Sequence, residues 1–263
     1  MIYDIAYRTR GQTGVKRPFG SGKFEVALIN AAQFPQVSDP RDAFEDGLTL
    51  ADEAYRAIKS DIVRGIRAPG ERLRIERLRA IYNIGPTPLR EALQRLSADR
   101  LVVAEGNRGF AVAAFDPDEF NDLNTARIAV EKEALRLSLR RGGIEWESGV
   151  VAAAYVMERE DKALSATGGD VPDSWEQANA AFHAALVAAC GSKWLLWTRS
   201  HLHDLCERYR RAAVSRAVGD RALFVEHSEL AMAALARDAD VVCDLTERHY
   251  SRTAQIFERM VRQ

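Results

Sequence analysis

All five histidines of the 263-residue chain, at positions 183, 201, 203, 227 and 249, fall in its C-terminal half. A single histidine on a helix is usually a surface or core residue with a satisfied hydrogen bond. The spacing of two of them asks for more. His227 and His249 each lie 11 residues from Asp238. A helical hairpin turning at Arg237–Asp240 therefore sets both imidazoles at one height. His183 can bring a third imidazole from a neighbouring helix, and Asp122, one turn into the first helix of that region, a carboxylate. Three imidazoles and a carboxylate make a site for a divalent ion (zinc, nickel, manganese or iron) with positions left for a ligand. His201 and His203 are expected on a helix surface, with His203 a candidate lining residue. Arg208 and Arg210 are candidates to line the same pocket or to sit on a solvated face.

A second group of residues suits nucleic acid. Arg90 and Gln94 lie one turn apart on the exposed face of a short helix and can donate to base edges. Arg72, Arg74, Arg77 and Arg79 can neutralise phosphates, and Arg108 at a hairpin tip can reach a minor groove or phosphate. Residues 49–115 hold 12 Lys/Arg against 8 Asp/Glu, while residues 116–263 hold 19 against 24. A mildly basic block beside an acidic one implies two jobs in a chain whose net charge is only −1.

The elements that must carry these residues are legible in outline. Residues 1–48 carry Gly, Pro, Ser and Gln without sustained periodicity and read as a disordered extension. Thr49 caps a first helix through Tyr55, Ile58 and Ile62, with Asp52 at its third position. After the turn Ala68–Glu71, a second helix is expected to bury Leu73, Leu78, Ile81 and Tyr82. Thr87-Pro88 is expected to start a third helix as N-cap and first residue, with Leu89, Ala92, Leu93 and Leu96 facing the core. Leu101–Glu105, a glycine turn and Phe110–Ala113 read as a hairpin. Asp116-Pro117-Asp118-Glu119 is a strong helix start. Six or so antiparallel helices follow, broken at Arg141–Gly143, Ser165–Pro172, Cys190–Ser192, Val218–Asp220 and Arg237–Asp240. The fold class is thus mainly α, an N-terminal winged helix-turn-helix (49–115) before an all-α antiparallel bundle (116–263).

Composition narrows the class. The hydrophobic share of 47% and charged share of 29% are those of a globular protein. No apolar run approaches the roughly 18 residues of a membrane span, and the N-terminus lacks the pattern of a secretory signal. The three cysteines, Cys190, Cys206 and Cys243, are odd in number and far apart, which suits buried thiols in a reducing cytoplasm.

The order amphipathic helix, PGE turn, helix, short turn, helix and glycine-turn hairpin resembles the GntR family of bacterial transcription regulators. The matching text is Ile62–Leu73 (IVRGIRAPGERL), Ile84–Leu96 (IGPTPLREALQRL) and Leu101–Gly109. The resemblance implies that Thr87 and Arg90 sit where groove contacts are made and that Gly109 is the wing glycine. Gly85-Pro86 replaces the family's usual Ser/Thr-Arg, and Ile75-Glu76 its frequent Glu-Arg, so an operator sequence does not transfer.

The second half resembles the FCD effector domain of the FadR subfamily, through Asp122–Arg127 with Glu131, Phe182-His183, Glu226-His227 and Arg248-His249. That resemblance implies that Asp122, His183, His227 and His249 bind the metal and that Arg127 pairs with an effector carboxylate. The family's common Asp four residues before the motif histidine is Asn179 here. The recognition helix and Arg141–Glu147 look like the carbon-starvation-induced regulator branch, whose members control catabolism of dicarboxylates or amino-acid-derived acids.

A homodimeric regulator of a palindromic double-stranded operator, responsive to a small organic acid and with no membrane partner, is the expectation. A metal-independent sensor and a metalloenzyme are the alternatives. Against the enzyme, no HExxH-like motif supplies a base beside the histidines.

Overall fold

The computed structural model describes residues 47–106, 109–217 and 222–262. The expected extension (1–48) falls almost entirely outside them, as does Arg108.

Helix α1 (Leu50–Val63) begins in a reciprocal capping box: Thr49 accepts from the Asp52 backbone and Asp52 accepts from that of Thr49. The chain then turns through Gly70, at φ +79°, into strand β1 (Arg72–Leu73). Leu73 is therefore a buried strand residue rather than the start of a helix. Its carrier pairs antiparallel with the later strand Phe110–Val112, Leu73 opposite Phe110. Helix α2 (Ile75–Tyr82) follows and buries Leu78, but Ile81 faces solvent.

Helix α3 (Pro86–Ala98) starts two residues earlier than expected. Gly85 is its cap and Pro86 its first residue, which makes Thr87 a first-turn residue and not the cap. Pro88 is tolerated because the first four N–H groups of a helix have no internal partner. Leu89, Ala92, Leu93 and Leu96 are buried against Ile58, Ile62, Leu101 and Val112. Strands β2 (Val102–Ala104) and β3 (Phe110–Val112) form the hairpin, and the sheet order is β1-β3-β2.

Asp116 caps helix α4 (Pro117–Arg141) through the backbone of Asp118 and Glu119. Helices α5 (Ile144–Thr167), α6 (Asp173–Val187), α7 (Lys193–Ala217), α8 (Leu223–Leu235) and α9 (Ala239–Arg262) complete the expected six-helix bundle. Helix α4 packs on α7 and α9, α5 on α6 and α8. One core gathers Leu135, Trp146, Trp175, Phe182 and Leu230. Another stacks Phe120 on Tyr209 against the edge of Phe257 beneath the junction with the winged domain. Among the described residues no helix is long and apolar enough to cross a membrane.

Candidate functional site

Four helices converge on the histidines. Helix α6 presents His183, α8 His227 and α9 His249, and the candidate ligand nitrogens of all three lie within 4.8 Å of one another. The 227–249 pairing expected from equal distance to Asp238 holds, with ring centroids 4.9 Å apart. Each ring is anchored through its Nδ1 side. Asp161 of α5 meets His227 Nδ1 at 2.6 Å, and Glu226 meets His249 Nδ1 at 2.8 Å. The Tyr250 hydroxyl lies 3.3 Å from His183 Nδ1. Asp161 is itself held by Trp175 Nε1 at 2.8 Å.

A carboxylate on Nδ1 fixes the tautomer that leaves Nε2 a lone pair, the usual support of a metal-ligating imidazole. Nε2 of His183 and of His227 are buried with no hydrogen-bond partner. Burial, reinforced by His249 and His227, holds His183 well below the ordinary imidazole value, so its lone pair is available at neutral pH. The three residues thus fit a divalent ion.

Asp122 does not join them. It is exposed on α4 and outside the cluster. The buried stripe of that helix runs through Phe120, Asn124, Arg127 and Glu131, and at 3.6 residues per turn position 122 points away from it.

Arg127, the residue expected to meet an effector, is buried beside the imidazoles. It is 3% exposed and lines a closed cavity of ≈ 10 Å³ together with His183, His249, Tyr250 and Arg210. Its guanidinium sits 3.7 Å above the Tyr250 ring, and Nη2 lies 3.2 Å from His203 Nδ1. Two more buried arginines stand nearby with carboxylates of their own. Arg199 Nε donates to both oxygens of Glu131 at 3.0 Å, and Arg210 Nη2 donates to Glu176 at 2.6 Å. Among the described residues Arg127 makes no ion pair with a carboxylate. Arg210 Nη2 also lies 3.3 Å from His203 Nε2. Burial, with Arg210 and Arg127 alongside, pushes His203 well below the ordinary imidazole value. A neutral imidazole has one acceptor nitrogen, so one of its two arginine contacts lacks an acceptor. Arg199 Nη2 and Arg210 Nη1 are likewise buried without partners. The cavity is rich in donors and short of anion.

Arg210 lines the cavity and His203 stands behind it against Arg127 and Arg210, whereas Arg208 does not line it. Arg208 donates to the carbonyls of Ala113 at 2.9 Å and Ala114 at 3.1 Å, and to the Tyr209 hydroxyl at 2.8 Å. It clasps the segment that joins the winged domain to α4. His201 is half-buried and stacked on Trp197.

Asp161 and Arg199 escaped the sequence reading, and Glu226 and Asn179 entered it only as motif positions without a role. Glu226 had a usable signal, being next to His227. Asp161 had none, since 66 residues separate it from the imidazole it holds.

In the winged domain Thr87, Arg90 and Gln94 are exposed together on α3, and Arg72, Arg74 and Arg77 are exposed along β1 and α2. Arg77 lies 3.6 Å from Glu71. Gly109 adopts φ +90°, a turn conformation that favours glycine.

Residues 50–112 match the model of the bacterial regulatory proteins of the gntR family, and residues 122–252 match that of the FCD domain. The chain is 37% identical over 201 residues to the HTH-type transcriptional repressor GlaR of Escherichia coli, covering 75% of this chain and 90% of GlaR. It is 36% identical over 208 residues to the HTH-type transcriptional regulator BphR of Paraburkholderia xenovorans, covering 79% and 85%. Among solved structures, E. coli McbR/YncC superposes with a TM-score of 0.66 at 18% identity, over 81% of this chain and 99% of that one. At that identity the likeness speaks for the fold.

Proposed function

The chain belongs to the GntR family of bacterial regulatory proteins, with an FCD domain behind its helix-turn-helix, and from that membership we propose a cytoplasmic, homodimeric repressor that senses a small carboxylic acid at a metal site. That it is a DNA-binding transcription regulator, and not an enzyme, follows from the family. The effector, the metal and the sense of regulation are the proposal. Repression is taken from the name of GlaR. The dimer follows from the logic of half-sites, since one small winged domain reads only half of a palindrome.

One observation carries the sensor reading: two members of a triad of buried, metal-competent imidazoles, His183 and His249, line one cavity with Arg127, a buried cation that has no carboxylate partner among the described residues. The metal, when bound, supplies a Lewis-acid centre for one carboxylate oxygen. Arg127 then grips the acid by charge-assisted hydrogen bonds, and Asp161 and Glu226 keep the imidazoles oriented. The ≈ 10 Å³ cavity admits about one water, so an acid enters only if the helices around it part.

Helix α7 is placed to relay that movement. His203 touches Arg127, and the next residue, Asp204, pairs with Lys59 of α1 at 3.0 Å. Thr87, Arg90 and Gln94 face the groove, with Arg72, Arg74 and Arg77 on phosphates and Gly109 shaping the wing. Operator affinity then changes by the acid's differential affinity for the two arrangements.

The test uses tag-free protein and a duplex selected by the protein from a random pool. Anisotropy titrations with acetate, lactate and succinate, with and without a chelator, should show at least one acid weakening DNA binding by about tenfold. The chelator should abolish that response. Affinity unchanged by every acid would leave a constitutive binder.

A further inference from the structure

Between the winged domain and the helical bundle lies a cleft of ≈ 430 Å³, with α1 on one side and α6 and α7 on the other. That is the size of a small-molecule pocket, but the charged side chains around it are largely spent on one another. Lys59 pairs with Asp204, Arg64 with Asp173 and Arg210 with Glu176. Glu176, His203 and Arg210 are the buried polar members of its lining. Arg210 lines both this cleft and the closed cavity beside His183, so one side chain separates the two spaces. His203 stands next to it in the partition, with Nδ1 toward Arg127 and Nε2 toward Arg210.

We propose that this partition is a gate: Arg210 and His203, latched by Glu176, close a passage through which small ions move between the interdomain cleft and the histidine cavity. The proposal rests on the reading of that cavity as a metal-dependent acid sensor.

The latch is only half made. Arg210 Nε at 3.1 Å and Nη2 at 2.6 Å both donate to one oxygen, Glu176 Oε2. Glu176 Oε1 and Arg210 Nη1 are buried without partners, whereas a fork-to-fork pair would use both oxygens. His203 adds a third deficit, since a neutral ring offers one acceptor to two arginines. Buried polar atoms left unpaired raise the free energy of the closed state. Opening the partition wets them and recovers part of that cost. A carboxylate arriving through the cleft also offers Arg210 a second anion, so the guanidinium need not stand uncompensated while Glu176 lets go. The outer side of the cleft is α1, held to α6 and α7 by pairs that water reaches. The width of the passage therefore answers to the position of the winged domain.

Tag-free, full-length protein is loaded with zinc, and release to excess EDTA and reloading with free zinc are followed in stopped flow with a chromogenic indicator. A gate sets both rates and leaves their ratio, the affinity, alone. Ala180 lines the cleft from α6 and is partly exposed. Ala180→Trp should plug the cleft and slow loading and release alike by about tenfold, with zinc affinity within about twofold of the unaltered protein. Ala180→Ser, too small to plug it, should leave both rates in place. Glu176→Gln undoes the latch and should speed both rates by about tenfold; if that variant melts below the unaltered protein, the Ala180 pair carries the test alone. Unchanged rates in folded Ala180→Trp would overturn the gate and put the passage elsewhere, such as the seam between α4 and α9. Slower loading with faster release would overturn it too, since that is lost affinity and not a blocked path. Failure of the underlying sensor reading looks different: His183→Ala would then leave zinc stoichiometry unchanged.

Discussion

At the scale of single residues, the site gathers groups whose needs the protein alone leaves unmet. His203 stands between two arginines with one lone pair to offer, and its burial keeps it neutral. The consequence for stability has a definite sign. In the unfolded chain His203 titrates near pH ~6.5, while in the folded protein its value is lower. Above that pH both states are neutral and its contribution is fully present. As pH falls below it, the unfolded state takes up the proton first and stability drops, by at most about 1.4 kcal/mol per pH unit for each such group. His183 acts in the same sense. Urea melts of metal-free protein should therefore show lower stability near pH ~5.5 than near ~7.5, with a smaller loss in His203→Gln; greater stability in acid would contradict a buried neutral ring. On the DNA side, Arg90 and Gln94 are exposed and absent from the domain core. Arg90→Ala should leave the melting temperature in place and weaken operator binding by about 1–3 kcal/mol, read by anisotropy. Equal affinity would take Arg90 out of the groove. How far the site could be read from sequence follows from distance along the chain. His227 and His249 were legible because a tight hairpin relates them by symmetry about Asp238. Asp161 was not, since no local rule ties a carboxylate to an imidazole 66 residues away. Asp122 misled because a motif position says nothing of helical phase, and the stripe through Asn124, Arg127 and Glu131 turns it to solvent.

Secondary-structure elements were most legible where a cap announces them and least where tertiary pairing decides. Thr49 with Asp52, and Asp116 with Pro117 and Glu119, begin α1 and α4 where the side chains require. Leu73 went astray because a two-residue strand carries no periodicity; its partner in β3 is what makes it a strand. At α3, two prolines compete for the first position and the earlier one wins, with Gly85 extended before it. The corner between α4 and α5 shows an element boundary fixed by packing. A Cβ on Gly142 would stand 2.5 Å from the Trp146 ring, whereas one on Gly143 would meet nothing within 4 Å. Trp146 cannot retreat freely, since its Nε1 donates to the Leu186 carbonyl at 3.2 Å and Arg237 lies 5.3 Å over its face. Gly142→Ala should then cost about 1–3 kcal/mol in chemical denaturation, as overpacking does. Gly143→Ala, with φ −100°, should fall within about 0.5 kcal/mol of the unaltered protein. Similar losses at both positions would mean that the ring yields and that the corner is set elsewhere.

For the whole molecule the question is how a cavity deep in the bundle reaches helix α3. Helix α7 connects them, because it carries His203 against Arg127, Asp204 against Lys59, and Arg208 against the Ala113 and Ala114 carbonyls within a few turns. Lys59–Asp204 is partly buried but still open to solvent, and a pair that water reaches contributes about 0–1 kcal/mol. Arg64, the residue that caps the end of α1, also pairs with Asp173 at the start of α6, at the surface. The Arg208 contacts differ in kind: the side chain is 4% exposed, and its donors satisfy carbonyls in the segment where the wing gives way to α4. A shift of α7 must either carry that segment along or leave buried polar atoms unpaired, and the second course costs about 1–3 kcal/mol for each atom. Arg208 is thus a stiff joint between the helical bundle and the winged domain, while the more exposed pairs are loose ones. Arg208→Met keeps the bulk of the stem and removes the donors. Its stability should fall by about 1–3 kcal/mol, zinc affinity should stay within about twofold, and the acid-induced change in operator affinity should shrink from about tenfold to under about threefold. Lys59→Ala should lose little of that response, because a screened pair transmits little force. A full acid response in Arg208→Met, with zinc binding intact, would move the joint away from α7 and onto α1 with its partners Asp173 and Asp204.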